Sequence, residues 1–529
     1  TTVYVDANNT STDCSDASSV SDLDGSTWDC AYPALQDALD EAGEGTGEYE
    51  ILVAEGAYYP DEDNVDNDRD GSLEHTNNDR TESFVVDRDG ISIFGGYPTG
   101  GGARDPQANP TVLSGDLEQN DANRTSAGVT PTTGDISGSN AYHVLLLDAS
   151  MNSLTPATEV NGVTATGGLA DGSNPQNIGG GFLCNVPNST TECSPTIAES
   201  VFVGNQAQFG GGGHFEATNT GGKFSPRIYQ VEFRDNKATV DGGGVGFAVE
   251  NGGSGRPTIA KTVFFQNEAA SKGGAVVNFS RKGGGGVANP EISNSVFYGN
   301  DSKNDGGAIY NVGEGTEAEA SPELINVVFA ANEASNVSPG QPANGGAIYN
   351  LGFNGGVASA SVSNAIFWGN TLPNPEDRNC ANDGIQIFND ESGASPSISH
   401  SVVEGGESGI ADCNGASTNY DIDTNLDQDP QFVDASDPDG FDDEFATSDD
   451  GLRLRGLSFS TPSPAIDAGT NAALDTDTDG TRDITTDLVG NTRVLERDGD
   501  GTATVDIGPY EYDGDKLPVE LATLEATAS

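Results

Sequence analysis

The chain has 529 residues, of which 83 are acidic and 22 basic, so its formal net charge is −61. Phosphate binding needs a basic face, and this balance therefore excludes nucleic acid and anionic membrane surfaces as partners. Such a charge destabilises a compact state by self-repulsion, which high salt or bound divalent cations relieve. It is typical of a protein adapted to saline surroundings, with a merely soluble acidic surface as the simpler alternative.

Residues 1–45 have the pattern of a capping segment. Residues 1–5 are predicted to form a strand, and residues 33–42 a short amphipathic helix with a proline at its start and Gly43 after its end. Such a helix can cover the open end of a stack of strands, which otherwise exposes an aggregation-prone edge. Residues 46–190 carry strand-like runs between long polar loops and are predicted to be irregular early coils of the same stack.

A repeated unit, Phe-x-x-Asn, dominates residues 191–400. It recurs after 31 residues at its first step (Phe202 to Phe233) and after 38 residues at its last step (Phe329 to Phe367). A fixed motif on a nearly constant period indicates that each repeat is one layer of a stack. The six pairs are Phe202/Asn205, Phe233/Asn236, Phe264/Asn267, Phe297/Asn300, Phe329/Asn332 and Phe367/Asn370.

Each part of the repeat has a physical reason. A proline before most of the phenylalanines fits the first residue of a strand, because proline has no N–H to donate. The runs around phenylalanine are short, β-branched and aromatic, which favours strands over helices. A glycine pair after the asparagine, as at Gly306-Gly307, permits the positive φ of a tight corner. Valine and phenylalanine are adjacent in most units, so we expect the inward–outward alternation to break there, at a bend.

Together these features predict an all-β fold, a right-handed parallel β-helix with a short N-terminal helical cap and strands about 4.8 Å apart along its axis. The phenylalanines are predicted to form a core stack, and the asparagines a ladder in which each amide hydrogen-bonds to its copies above and below. The ladder residues are Asn205, Asn236, Asn267, Asn300, Asn332 and Asn370. None of these residues is expected to be catalytic.

Beyond the repeats, residues 401–515 are predicted to form acidic late coils and a terminal module, and residues 516–529 a C-terminal tail. No apolar stretch approaches the length needed to span a membrane, so membrane insertion is not expected. The chain starts at Thr1 without a signal peptide, and we therefore expect a mature, secreted protein that is extracellular or at the cell surface.

Six cysteines fall in three pairs that are close in sequence. Local pairing is the economical prediction, and it indicates an oxidising compartment. A zinc site is not expected, because there is no Cys-x-x-Cys and the four histidines are scattered. The predicted disulfides are Cys14/Cys30, Cys184/Cys193 and Cys380/Cys413.

Two runs of alternating aspartates before a glycine are candidate metal sites. Carboxylates in this spacing can wrap their oxygens around Ca²⁺. Both runs lack the glutamate that closes an EF-hand loop, so a solvated acidic loop stays an alternative to a Ca²⁺ site. The two runs are Asp66/Asp68/Asp70 and Asp475/Asp477/Asp479.

Several motifs resemble known families. The Phe-x-x-Asn and Gly-Gly-Ala-Ile units resemble the repeats of chlamydial polymorphic outer-membrane proteins and related bacterial surface β-helices. The start of the chain, residues 463–469 and residues 506–512 resemble the opening and close of secreted bacterial proteins with a choice-of-anchor Q type terminal region, which more often have alanine at the position of Pro509. Residues 517–521 (Leu-Pro-Val-Glu-Leu) resemble the linker that precedes sorting domains of type IX secretion substrates. These resemblances imply a cell-surface or extracellular protein, often an adhesin, without a demonstrated enzyme activity.

The sequence leaves three functions open. The favoured one is a non-enzymatic structural or adhesive rod whose partner is a cell-surface or matrix component, a glycan or copies of itself. A self-assembling filament subunit would instead join copies through its ends or its tail. A polysaccharide lyase or hydrolase would need a placed base or a carboxylate pair, and the few basic residues are scattered along the chain, so no enzyme activity is predicted.

Overall fold

In the computed structural model the chain is nearly all β. Its described residues are 1–9, 14, 23–63, 74–75, 78–281, 284–335, 343–373, 380, 384–440, 442, 444–456, 459–477, 481–495, 501–512 and 514. Within them, strands from successive turns of the chain pair in parallel and build four long sheets. The molecule is therefore a parallel β-helix, as the repeat predicts.

The first two sheets meet at one corner of each coil. The first sheet has twelve strands: Thr2–Val5, Tyr49–Ala54, Ile91–Tyr97, Glu159–Asn161, Thr196–Ala198, Arg227–Tyr229, Thr258–Ala260, Glu291–Ser293, Glu323–Ile325, Ser361–Ser363, Ser397–Ser399 and Asn419–Tyr420. The second sheet has ten: Gly56–Tyr58, Thr111–Ser114, Val163–Thr166, Val201–Val203, Glu232–Arg234, Val263–Phe265, Val296–Tyr298, Val328–Ala330, Ile366–Trp368 and Val402–Val403.

Two further sheets complete most coils. The third sheet has six strands: Leu169–Ala170, Gln206–Phe209, Lys237–Asp241, Glu268–Ala269, Asp301–Ser302 and Glu333–Ala334. The fourth has ten: Phe84–Val86, Leu145–Asp148, Phe182–Val186, Gly213–Ala217, Val245–Glu250, Val276–Arg281, Ile309–Glu314, Ile348–Phe353, Ile387–Asp390 and Ile410–Cys413. A small parallel sheet holds Lys223–Phe224, Ser254–Gly255 and Val287–Ala288, and Glu62–Asp63 pairs antiparallel with Glu74–His75.

The α-helix Leu35–Glu44 closes the N-terminal end of the stack, where the sequence predicts a helix over 33–42. It packs against Thr2–Val5 and Phe84–Val86 and buries one face in the core. The predicted start is two residues early because Ala34, the residue before the helix, has an extended backbone. Short 3-10 turns occur at Trp28–Cys30, Thr133–Asp135, Gly406–Gly409 and Asn471–Leu474.

The repeated phenylalanines form one continuous stack through the interior. All six side chains, from Phe202 to Phe367, are fully buried. Successive ring centroids lie 4.6–5.3 Å apart, and the ring planes differ by no more than 15°. In the next coil Val403 pairs with Phe367 and takes the position of the aromatic ring. The repeat therefore places identical residues in register, one per coil.

A glycine pair makes a corner of these coils as far as Gly345-Gly346, and Gly384 stands alone after Asn370. Gly306 has a φ of 65°, in the left-handed region that glycine adopts without strain. A Cβ on Gly307 would collide with the carbonyl oxygen of Gly346 in the next coil. The first glycine therefore turns the chain, and the second allows the coils to approach closely.

The expected break in alternation beside phenylalanine is wrong. In the strand Val296–Tyr298, Phe297 belongs to the interior core, whereas Val296 and Tyr298 belong to a second apolar cluster on the outward face. Val263 and Val328 repeat this arrangement in the neighbouring coils. The strand thus alternates normally, and both faces are apolar because both are covered.

The outward face of the second sheet is covered by the described residues of 427–512, here called the terminal segment. After the last coil the chain turns back and packs Leu452, Ile466 and other apolar side chains against the outward valines. Tyr298 Oη donates to the carbonyl of Ala435 over 3.0 Å. Residues 401–426 form the last coil, so the acidic C-terminal part of the chain lies along the β-helix instead of extending it.

Candidate functional sites

The amides of the Phe-x-x-Asn repeat form a buried ladder. Each Nδ2 from Asn205 to Asn332 donates to the Oδ1 of the next ladder asparagine over 2.9–3.1 Å. The backbone N–H of the same residue donates to that Oδ1 as well, over 3.0–3.3 Å. Asn370 ends the ladder on Gln386 Oε1 at 2.7 Å. These amides are fully engaged in holding coils together.

A second amide ladder, which the sequence reasoning missed, runs through the fourth sheet. Asn278, Asn311, Asn350 and Asn389 are linked by Nδ2-to-Oδ1 hydrogen bonds of 2.7–2.8 Å. The last of them, Asn389, donates to Asp412 Oδ1 at 2.9 Å. A signal was present, because an asparagine directly follows an isoleucine and an aromatic residue in three units, which end Ile-Tyr-Asn, Ile-Tyr-Asn and Ile-Phe-Asn.

The cysteines pair locally. The structure contains the disulfides Cys14–Cys30, Cys184–Cys193 and Cys380–Cys413. Cys184 and Cys193 are fully buried in the interior core, and Cys413 ends the last strand of the fourth sheet. The cross-links therefore lie near the start, the middle and the end of the coils.

Part of one of the two predicted carboxylate runs, Asp475 and Asp477, lies among the described residues. Asp66, Asp68, Asp70 and Asp479 lie outside the described residues. Asp475 and Asp477 each bring a carboxylate oxygen within 4.8 Å of one on Asp483. Three carboxylate oxygens in this arrangement fit a hard divalent cation such as Ca²⁺.

Asp483 was missed by the sequence reasoning, although it stands at the ninth position of a loop counted from Asp475. That position supplies a ligand, often through water, in EF-hand loops. Thr476 donates its backbone N–H and its hydroxyl to Asp483 Oδ2 over 2.8 and 2.9 Å. These hydrogen bonds lower the pKa of Asp483, so this side chain is ionised at neutral pH.

A cleft of about 450 Å³ opens near the N-terminal end of the second sheet. We call it the N-terminal cleft. Its one cationic side chain is Arg124, whose Nη1 donates to Tyr59 Oη over 3.2 Å and lies 3.2 Å from the buried carboxylate of Asp116. The lining residues are Asn8, Glu55, Gly56, Ala57, Tyr59, Thr99, Pro110, Arg124, Thr125, Ser126, Ala127 and Gly128. Among them Glu55 is the sole carboxylate.

A lysine on the outward side of the fourth sheet, Lys272, is a candidate catalytic base, but its protonation state excludes that role. Lys272 Nζ donates to Tyr310 Oη over 3.1 Å and lies 3.8 Å from Asp305 Oδ2. Burial alone would lower the pKa of Lys272, but the Tyr310 hydroxyl and the nearby carboxylates of Asp305 and Asp241 raise it overall. Lys272 is therefore protonated at neutral pH and cannot abstract a proton.

A cluster of buried charge fastens the terminal segment to the coils. The side chain of Arg493 is fully buried; it donates to Glu511 Oε2 at 3.2 Å and to Asn294 Oδ1 at 2.6 Å, across the interface. Asp506 Oδ1 accepts the backbone N–H of Asp467 at 2.7 Å. Burial raises the pKa of Asp506, and the neighbouring Glu511 carboxylate raises it further. Residues 463–469 and 506–512, the closing motifs of the anchor-type resemblance, thus meet in one clamp.

Comparison with known proteins gives a short sequence match and distant structural likeness to solved structures. The Chlamydia polymorphic membrane protein repeat matches residues 294–312. No curated protein is significantly similar to the chain. A crystal structure of pectate lyase Pel9A aligns over 96% of this chain and 96% of its own, with 13% sequence identity and a TM-score of 0.41.

The matched repeat falls on residues that build the scaffold. It contains Phe297 of the core stack, Asn300 of the first ladder, the corner Gly306-Gly307 and Asn311 of the second ladder. Within the described residues no helix has the length and apolar character that a membrane crossing requires. Over 294–312, then, this parallel β-helix is similar to the Chlamydia polymorphic membrane protein repeat, and the similarity lies in residues that hold its coils together.

Proposed function

We propose that the protein is a secreted or cell-surface, non-enzymatic β-helix that serves as a structural or adhesive rod. The observation that carries this proposal is the pair of amide ladders beside the phenylalanine stack. The repeated polar and aromatic side chains are used up in contacts inside the coils. Recognition of a partner would therefore fall to the loops and the outer faces. The three disulfides fit an oxidising, extracellular compartment.

The charges on the outside give less support to a polysaccharide-active enzyme. Glycoside hydrolysis uses two carboxylates at a defined separation, and the lining of the N-terminal cleft contributes Glu55 alone. A lyase needs a base, and Lys272, the partly exposed lysine with several charged neighbours, is held protonated. An adhesive role requires neither group.

A filament built by stacking coils end to end is also less favoured. At the N-terminal end, the edge strand Thr2–Val5 is occupied, because Tyr4 N–H donates to Gly25 O over 2.9 Å and Tyr32 N–H donates to Tyr4 O over 2.9 Å. At the other end Val403 N–H donates to the carbonyl of Leu426 over 2.9 Å. Paired edges offer little backbone to a second copy. The tail at 516–529, the other proposed joint, lies outside the described residues.

The acidic surface fits two further parts of the proposal. Asp475, Asp477 and Asp483 would bind Ca²⁺ and stabilise the terminal segment, and the net charge of −61 would be tolerated best in saline surroundings. Residues 517–521 would act as a linker to a type IX sorting signal. The partner is proposed to be a cell-surface or matrix component, a glycan or a second copy of the chain.

The proposal is tested on intact cells and with purified protein. We expect antibodies to label the protein on unpermeabilised cells, and purified protein to adhere to glycan-coated or matrix-coated surfaces. The same preparation should release no reducing ends or unsaturated products from a panel of polysaccharides. Turnover of any of these polysaccharides that depends on Glu55 or Lys272 would overturn the non-enzymatic assignment.

A further inference from the structure

We propose that the N-terminal cleft binds a neutral saccharide. The inference rests on the proposed function in one respect, because a glycan is one of the partners proposed there. What is added is a binding site for that glycan and the expectation that the glycan is uncharged. Three segments far apart in sequence meet there, bringing Asn8, Glu55 and Arg124 to one opening. The volume of about 450 Å³ falls within the range of small-ligand sites.

The polar groups of the cleft are held in place from behind. Arg124 uses Nη1 to contact Tyr59 and the fully buried Asp116, so the guanidinium is oriented where it lines the cleft. Burial raises the pKa of Tyr59, so its hydroxyl stays protonated and keeps an O–H to donate while its oxygen accepts from Arg124. A guanidinium fixed this way is a prepositioned donor.

Glu55 and Asn8 add acceptors to the lining of the same cleft. Glu55 Oε1 accepts the backbone N–H of Thr99 over 3.3 Å, which fixes the carboxylate at the opening. Asn8 Nδ2 donates to Glu55 O at 3.3 Å and to Thr99 Oγ1 at 3.4 Å, so its amide is oriented as well. Alternating donors and acceptors match sugar hydroxyls, since each hydroxyl both donates and accepts.

An aromatic cluster lies next to a segment that lines the cleft, since Tyr97 precedes Thr99 by two residues. The Trp28 ring lies 5.0 Å from Tyr4 and 5.4 Å from Tyr97, and all three side chains are partly exposed. Gly101 lies so close to the Trp28 ring that a Cβ would collide with it, so the segment from Tyr97 to Gly101 joins the cluster to Thr99 of the cleft. Aromatic rings offer apolar faces beside polar edges, and the C–H face of a sugar ring packs on such a surface.

The charges favour a neutral ligand over an acidic one. Asp116 balances Arg124, and Glu55 adds a negative charge to the lining. The chain as a whole carries −61, so a uronate or sulfated glycan would approach against a repulsive field and find no uncompensated cation. A neutral saccharide meets neither obstacle.

The test is a printed array of neutral oligosaccharides and of uronate- or sulfate-bearing ones, followed by titration calorimetry on each glycan that binds. The variants are Glu55→Gln, which keeps an acceptor for Thr99, and Ser126→Trp, which fills the cleft from an exposed loop. Arg227→Gln, on the exposed face of the first sheet, is the matched control. Melting temperatures confirm that each variant folds.

We expect at least one neutral glycan to bind, with affinity at least tenfold weaker in Glu55→Gln and Ser126→Trp and unchanged in Arg227→Gln. Binding confined to acidic glycans, or binding that the two cleft variants leave intact, would overturn the inference. No binding to any glycan on the array would overturn it too. Adhesion to cells or matrix that persists in the cleft variants would refute this site while leaving the proposed adhesive role standing.

Discussion

The strands of the second sheet bury both of their faces, one in the interior of the repeats and one beneath the terminal segment. The two faces are buried by different kinds of contact. In Val296–Tyr298, Phe297 packs between Phe264 and Phe329 at 4.6 Å on either side. Val296, the adjacent residue, packs against a terminal segment that lies far away in sequence. The inner face packs against the same residue type in the neighbouring coils, whereas the outer face packs against residues that occur once. Periodic residues therefore build the rod, and unique residues determine what covers it.

The largest expected effect comes from breaking the periodic face. We expect Phe297→Ala to cost about 4 kcal/mol in the free energy of unfolding, because it opens a cavity in a continuous stack. Val296→Ala removes less volume from the outer cluster and should cost clearly less. Urea unfolding monitored by circular dichroism measures both. Equal losses in the two variants would contradict the assignment of inner and outer faces.

Breaking the unique face should detach the terminal segment and spare the coils. We expect Arg493→Met to cost about 3 kcal/mol, because it leaves the buried Glu511 carboxylate and the Asn294 amide without their partner. Limited proteolysis should then cleave within 427–512 while the repeats stay resistant. Arg227→Met, on an exposed strand, is the control. Cleavage first among the repeats would refute the clamp.

A buried histidine gives the coils a pH dependence of known sign. Burial lowers the pKa of His214 from its ordinary value to about 3. The unfolded chain therefore takes up a proton that the folded chain excludes, and the resulting stability is full above pH 6.5 and is lost as pH falls towards 3. Between pH 7 and pH 5 this loss amounts to about 2 kcal/mol. His214→Leu, which matches the neighbouring Leu183, should flatten that part of the profile.

One result would contradict the assignment of this pH dependence to His214. If the unfolding midpoint of His214→Leu falls with acidification as steeply as that of the parent chain, His214 is not the group responsible. His400→Leu serves as the companion variant, because His400 is a partly buried histidine elsewhere on the same β-helix.

The smallest effect concerns metal binding in the terminal segment. At a Ca²⁺ concentration several times the dissociation constant, binding should add about 1 kcal/mol to its stability. The paired change Asp475→Asn and Asp477→Asn should abolish that gain, whereas Asp421→Asn with Asp423→Asn should not. Differential scanning calorimetry with and without Ca²⁺ measures the gain. A gain that survives the first pair of substitutions would exclude this cluster as the site.

The sequence predicts the periodic residues of the molecule better than the contacts that occur only once. The phenylalanine stack and the first ladder are evident because each coil repeats one residue type at one position. The second ladder escapes notice because the residue before each asparagine changes, from Val277 to Tyr310 to Phe388, and because the sequence interval before Gly345 is longer than in the preceding units. Periodicity therefore reveals the scaffold only where the motif is kept whole.

The candidate sites depend on contacts that no period encodes. Arg493 and Asn294 are 199 residues apart, and nothing local in either stretch of sequence points to the other. The N-terminal cleft likewise combines Asn8, Glu55 and Arg124 from three loops. Asp483 is the exception, because its position relative to Asp475 matches a known ligand position.

The most direct test of the account is a cross-link between the last repeat coils and the terminal segment. Asn364 accepts the backbone N–H of Thr470 at 2.7 Å and donates to its carbonyl at 3.1 Å, although the two residues are 106 positions apart. Since all six native cysteines are paired, Asn364→Cys with Thr470→Cys introduces the sole free thiols. We predict near-complete disulfide formation between the two cysteines within one chain under mild oxidation, because Asn364 is fully buried directly against Thr470. Failure to cross-link, in a variant that melts like the parent chain, would contradict the packing of the terminal segment on the β-helix.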